Sequence, residues 1–125
     1  MAVTEETLAS HTGSGSVEVF STPNLVLLME EAAMDALRPF LEPGETSVGT
    51  LVNIRHLAPT PPGMIVTATA RLSQVDGRRL VFQVEAGDGI DRVGEGTHER
   101  CVVLTERFIL RSREKSTRKN TSSVE

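Results

Sequence analysis

The stretch TPNLVLLMEEAAMDALRPF, residues 22–40, decides the fold. Its apolar residues recur at helical spacing, so the segment from Pro23 to Phe40 reads as one helix whose polar stripe is Asn24, Glu31, Asp35, Arg38 and Glu42. Thr22 suits the cap in front of it, and Pro23 suits the first helical position, where its missing N–H would have no partner anyway. Pro39 and the Pro43-Gly44 pair end the helix. Glu30 breaks the pattern. At about 100° per residue it points a quarter-turn or more from the polar stripe, with Val26, Leu27, Ala33 and Met34 as its neighbours on the helix surface. A carboxylate held against apolar surface costs stability, which makes it a candidate for chemistry.

From residue 46 the hydrophobic period changes from helical to two. Val48, Thr50, Val52, Ile54 and His56 fall on one face, with Leu51, Asn53 and Arg55 on the other. Met64, Val66, Ala68, Ala70 and Leu72 then oppose Thr67, Thr69, Arg71 and Ser73, and Leu80, Phe82, Val84 and Ala86 oppose Gln83 and Glu85. These read as half-buried antiparallel strands. Asp76-Gly77 marks a hairpin turn, because glycine supplies the positive φ that a tight turn needs. A last strand is expected from about Gly96 to Ile109, and Val17 to Phe20 alternate like a short strand before the helix. The expected class is therefore α+β: a curved antiparallel sheet wrapped around one long helix, the hotdog arrangement, although the pattern alone also allows other α+β folds. An open sheet with one covering helix leaves edges exposed, so a homodimer is expected, with a dimer of dimers as an extension.

A chain of 125 residues with 38% hydrophobic and 3% aromatic residues holds one domain and a modest core. The division expected is a polar segment over residues 1–16, a folded domain over 17–111 and a basic, irregular tail over 112–125. The single cysteine, Cys101, excludes an intrachain disulfide and leaves no cysteine cluster for zinc; it reads as a small core residue. With no leading apolar run and no apolar stretch of membrane-spanning length, the expectation is a cytoplasmic protein without a membrane partner. Residues 1–106 carry seven Lys plus Arg against fifteen Asp plus Glu, while the tail is basic. No aromatic residue follows Phe108, so nothing there stacks bases and no nucleic-acid partner is expected. No glycine-rich phosphate loop occurs. Gly63, Gly94 and Gly96 read as turn or bulge glycines.

Four runs carry a family resemblance: Thr22 to Ala33, Ser47-Val48-Gly49-Thr50, His56-Leu57-Ala58-Pro59-Thr60-Pro61-Pro62-Gly63, and Gly94-Glu95-Gly96-Thr97-His98-Glu99-Arg100. Together they resemble the hotdog thioesterases related to fluoroacetyl-CoA thioesterase, over roughly residues 17 to 115. The resemblance implies a catalytic set of Thr22, Glu30 and His56, substrate contacts at Gly49 and Arg100, and a homodimer that cleaves an acyl-CoA thioester with no metal and no cofactor beyond the coenzyme A of its substrate. It departs at the N-terminus. Residues 1–20 hold only Phe20 and are otherwise rich in small polar residues, so the phenylalanine lid of the fluoroacetyl-specific enzyme has no counterpart.

The residue types suit the chemistry. Thioester hydrolysis needs a nucleophile, a proton acceptor near neutral pH and donors for the developing oxyanion. His56 can act as the base. Glu30 can attack directly, forming a mixed anhydride, or activate water. Thr22 can donate to the carboxylate or the carbonyl, and the free N–H groups of the helix start or the backbone at Gly49 can receive the oxyanion. Plainer roles compete: Thr22 as a helix cap, His56 as a core histidine, and Glu30 as a seam residue paired with Arg55 or Arg100. His98, Glu99 and Arg100 alternate across one strand, so at least one of them is outward, and His98 is not counted in the catalytic set. Arg78, Arg79 and Arg113 are the candidates for coenzyme A phosphates. Two other functions fit the same fold, a non-catalytic acyl-CoA or small-ligand binding protein and a hydratase. The hydratase ranks last for want of an Asp-x-x-x-x-His run.

Overall fold

The computed structural model describes the backbone of residues 1–124 and side chains as far as Lys119. Four antiparallel strands form one sheet: β1 (Glu45–His56), β2 (Thr67–Asp76), β3 (Arg79–Gly87) and β4 (Arg92–Leu104), in the spatial order β1-β4-β3-β2. A one-turn helix, α1 (Ala9–Thr12), precedes the long helix α2 (Thr22–Leu37), which lies on the inner face of the sheet. This is the hotdog architecture. Leu25, Met29, Ala33 and Leu37, spaced by four, form the buried stripe of α2 and join Val66, Leu80, Phe82, Val84 and Ala86 in the core. A short 3₁₀ turn, Arg38–Phe40, ends the helix where Pro39 removes a donor.

The cap of α2 is Ser21, not Thr22. The buried Ser21 hydroxyl accepts from the Asn24 N–H at 3.2 Å, while Thr22 and Pro23 occupy the first helical positions. Both candidates are good cap residues, and Phe20, fully buried and bonded through its N–H to the Thr60 carbonyl, sets the entry of the chain one residue earlier. Thr22 is thereby released from capping. The expected strand at Val17 to Phe20 is a bend with one bridge, Leu8 to Phe20.

β1 contains a bulge. Gly49 pairs with Arg100 and Leu51 with Glu99, so Thr50 is an extra residue and the alternation changes phase there. Ser47 and Gly49 therefore share the inner face with Val52, Ile54 and His56, and Val48 faces outward. The sequence reading placed Val48 inward, because nothing in a run of β-branched residues marks the extra one. A second bulge lies between Leu72 and Gln74 in β2. The β2-β3 hairpin turns at Asp76-Gly77 as expected, Gly77 having φ 61°.

β4 stops at Leu104, and residues Thr105–Val124 form a third helix, α3, in place of both the strand end and the irregular tail expected there; Glu125 lies outside the described residues. The N-terminal segment also packs more closely than a surface loop. Val3 and Leu8 are core residues, and the backbone of residues 1 to 3 bonds that of Gly63, Met64 and Val66. No described helix is long and apolar enough to cross a membrane.

Two glycines let the layers close. A methyl group at Gly94 would meet Leu25 and Met29, so the helix sits directly on this backbone; one at Gly96 would land on the carbonyl oxygen of Asn53 in β1. Gly96→Ala is expected to destabilise the fold by about 1–3 kcal/mol or more by forcing β1 away from β4. A thermal melt followed by far-ultraviolet circular dichroism measures this, and an unchanged midpoint would contradict it.

Candidate active site

Helix α2 packs mainly against β2, and the inner face of β1 is only partly covered, none of its residues being fully buried. Along this opening lie two polar clusters. At the N-terminal end of α2, the Thr22 hydroxyl is 2.8 Å from His56 Nδ1. His56 is the last residue of β1, and the following Leu57 N–H is anchored on the Val93 carbonyl. The other ring nitrogen, Nε2, is buried and has no hydrogen-bond partner among the described residues. Burial lowers the His56 pKa from its ordinary 6.5, while the Ala58 backbone opposes the shift. A buried polar atom without a partner costs stability, so its persistence points to a reacting group. With the proton on Nδ1 and donated to Thr22, Nε2 presents a free lone pair. Beside this pair opens a cavity of about 340 Å³ lined by Ala9, Ser14, Val19, Phe20, Leu57 and Pro59 as well as the two site residues.

The second cluster surrounds Glu30, two turns further along α2, or about 12 Å along the helix axis. Glu30 Oε2 is 3.6 Å from Arg100 Nη1, and the Glu30 side chain is 36% exposed against 4% for Arg100. Burial pulls the Arg100 guanidinium below its ordinary value and the Glu30 charge counters this. Gly49 makes the room: a methyl group there would stand 3.0 Å from Glu30 Oε2, 3.3 Å from His98 Cε1 and 3.4 Å from Arg100 Nη1. Glu30 thus faces a half-open polar pocket, not the wholly apolar surface expected. Of its two anticipated partners, Arg100 is present and Arg55 is not, since Arg55 points to the opposite face of β1.

All five residues singled out from sequence, Thr22, Glu30, Gly49, His56 and Arg100, therefore lie along one opening. Within one chain they divide into a Thr22-His56 pair and a Glu30-Gly49-Arg100 group, and no hydrogen bond or ion pair among the described residues joins Glu30 to His56. The start of α2 is a poor oxyanion site, because Pro23 lacks an N–H and the Asn24 N–H is taken by Ser21. His98 has a larger place in the site than its local sequence suggests. It is 1% exposed and faces inward beside Arg100, while Glu99 alone points outward to Arg79 at 2.6 Å. The shared parity of 98 and 100 was the available signal. Arg79, engaged with Glu99, is less suited to a phosphate than expected, and Cys101 sits half-buried on the outer face, not in the core.

The fold is that of the hotdog thioester hydrolases, and the comparisons with known proteins define that class for the chain. A family profile described as fluoroacetyl-CoA-specific thioesterase matches residues 3–106. The fluoroacetyl-CoA thioesterase of Streptantibioticus cattleyicolor is 52% identical over 99 residues, covering 79% of this chain and 71% of that protein. Among solved structures, a point mutant of the fluoroacetyl-CoA-specific thioesterase FlK in complex with fluoroacetate and coenzyme A superposes with a TM-score of 0.86 at 44% identity, covering 92% of this chain and 94% of that one. A Thermus thermophilus protein of the thioesterase superfamily gives 0.88 at 32% identity, with 97% and 90% covered. The chain belongs to the fluoroacetyl-CoA thioesterase family, and it is a thioester hydrolase.

Proposed function

We propose that the protein hydrolyses an acyl-CoA thioester to a carboxylic acid and free coenzyme A, as a homodimer whose sites combine Thr22 and His56 of one protomer with Glu30, Gly49 and Arg100 of its partner. The observation that carries this reading is the division of the site. β1 is an edge strand of 12 residues, bonded only to β4, with Leu51 and Val52 about 40% exposed. Such an edge calls for a partner strand. Antiparallel pairing of two β1 edges about a two-fold axis at Val52 or Asn53 conserves the inward and outward faces and carries His56 of one protomer to Ser47 or Gly49 of the other. There the imidazole meets the Glu30 carboxylate.

In the assembled site Glu30 either activates the attacking water or attacks the thioester carbonyl itself. In the first route His56 Nε2 accepts the proton that the water gives up and returns it to the departing thiolate as the C–S bond breaks; in the second the C–S bond breaks to leave a mixed anhydride and a thiolate, and water then hydrolyses the anhydride, its proton passing through His56 to the thiolate. Thr22 fixes the tautomer of His56. Gly49 and Arg100 bound the space for the acyl group. The reading invokes no metal and no cofactor other than the coenzyme A of the substrate, and it supposes a cytoplasmic protein with no membrane or nucleic-acid partner. Fluoroacetyl selectivity is not carried over, since Phe20, the one aromatic residue of the N-terminal segment, is sealed in the core and cannot cover an acyl group.

Free-thiol release from short, aryl and long acyl-CoA esters tests the reaction. Release proportional to protein concentration is expected for at least one ester, whereas binding of the esters with release at the blank rate would make the protein a binding module. Sedimentation across a dilution series is expected to find activity falling with dissociation to monomers. An active monomer would overturn the shared site.

A further inference from the structure

His98 serves neither as acid nor as base in the reaction above, yet it is among the most deeply buried side chains in the protein. Its Nδ1 lies 2.8 Å from the Leu51 carbonyl oxygen. A carbonyl only accepts, so Nδ1 carries the proton and Nε2 holds a lone pair. That lone pair accepts from Arg100 Nη1 at 3.2 Å. The remaining bonds of the guanidinium are equally defined: Nε donates to the Ser47 hydroxyl at 2.8 Å and Nη2 to the Ser47 carbonyl at 3.0 Å. Three edges of a planar fork are thus fixed, and the free N–H of Nη1 is turned toward Glu30 Oε2.

From this chain of contacts we infer that His98 is a positioning residue: as a neutral imidazole with its proton on Nδ1, it orients the Arg100 fork and through it holds the Glu30 carboxylate beside Gly49. The inference rests on the proposed role of Glu30. It also explains the burial, because an imidazole bonded at both nitrogens leaves neither of its own polar atoms unpaired in the interior. The Thr50 bulge contributes as well, since it puts Ser47 and Gly49 on the same face as His98 and Arg100. Were β1 to pair regularly with Thr50 in line, Ser47 would turn outward and the fork would lose it.

Two substitutions separate orientation from mere filling of space. His98→Gln keeps an acceptor near the position of Nε2, and His98→Asn keeps a donor near that of Nδ1 but withdraws the acceptor from Arg100. His98→Asn is expected to lower kcat by about tenfold to a hundredfold with KM changed less than about threefold, and His98→Gln to restore most of the loss. Equal kinetics for the two variants, or a change confined to KM, would overturn the inference. Because His98 acts through Glu30, His98→Asn placed in a Glu30→Gln background is expected to cost nothing further; an additive loss would also overturn it. The readings fail separately: a fully active Glu30→Gln enzyme removes the role of Glu30 and this inference with it, whereas an inactive Glu30→Gln beside a fully active His98→Asn removes the inference alone. Nitrogen NMR of the imidazoles reads the tautomer without turnover. Protonation of His98 at Nε2, or at both nitrogens, would overturn the assignment even if no ester tested is hydrolysed.

Discussion

Glu30→Gln is expected to lower thioester turnover by roughly a thousandfold while the protein remains folded. The substitution keeps the size of the side chain and an oxygen that can accept from Arg100, but removes the charge with which the group attacks or takes a proton. Because Arg100 is buried and Glu30 is half-exposed at 3.6 Å, the ion pair is neither tight nor fully desolvated. Its loss lowers the melting temperature only modestly. The loss belongs in kcat and not in KM, since the carboxylate acts on the reacting carbonyl and leaves the coenzyme A arm untouched. Free-thiol kinetics beside a thermal melt make the measurement. Retention of more than about a tenth of the wild-type kcat would remove Glu30 from the chemistry.

His56→Ala is expected to cost between a hundredfold and about ten-thousandfold and to change the pH profile as well. The working form of the base is the neutral imidazole, and burial holds the His56 pKa below the ordinary 6.5. Activity should therefore persist below pH 6.5 before an acid limb appears, and His56→Ala should lack that limb. The same shift has a stability counterpart. The unfolded chain binds a proton at His56 more readily than the folded one, so stability from this group is complete above the ordinary value and declines as pH falls through it. A profile of kcat/KM against pH that is identical in wild type and His56→Ala, apart from scale, would assign the limb to another group.

The long helix was legible because its buried residues repeat every fourth position and two proline sites close it. The hairpin was legible from Asp76-Gly77, and the neighbours Thr22 and His56, and Glu30 and Arg100, stood out as residue types that a core does not need. What stayed hidden was decided by contacts distant in sequence. Choice between Ser21 and Thr22 as cap depends on where Phe20 is anchored, and Phe20 is held by Thr60, forty residues on. The phase change at Thr50 depends on which residues of β4 oppose it, and β-branched neighbours carry no trace of that. The end of β4 was missed for a different reason: Thr105 to Leu110 alternate poorly for either structure, and the helix they begin is largely polar and solvent-facing. His98 was read by local alternation alone, and its importance comes from the Leu51 carbonyl, a group on another strand.

The additional residue in β1 makes that strand a sequence written in two frames. Upstream of Thr50 odd-numbered positions look into the cleft; downstream even-numbered ones do. Were β1 to pair regularly at its present length, the inward and outward residues upstream of Thr50 would change places, putting valine where glycine now leaves room for the acid. The extra residue, its hydroxyl tied to the Glu99 carbonyl, is thus what keeps both halves of a strand of this length turned toward one cleft.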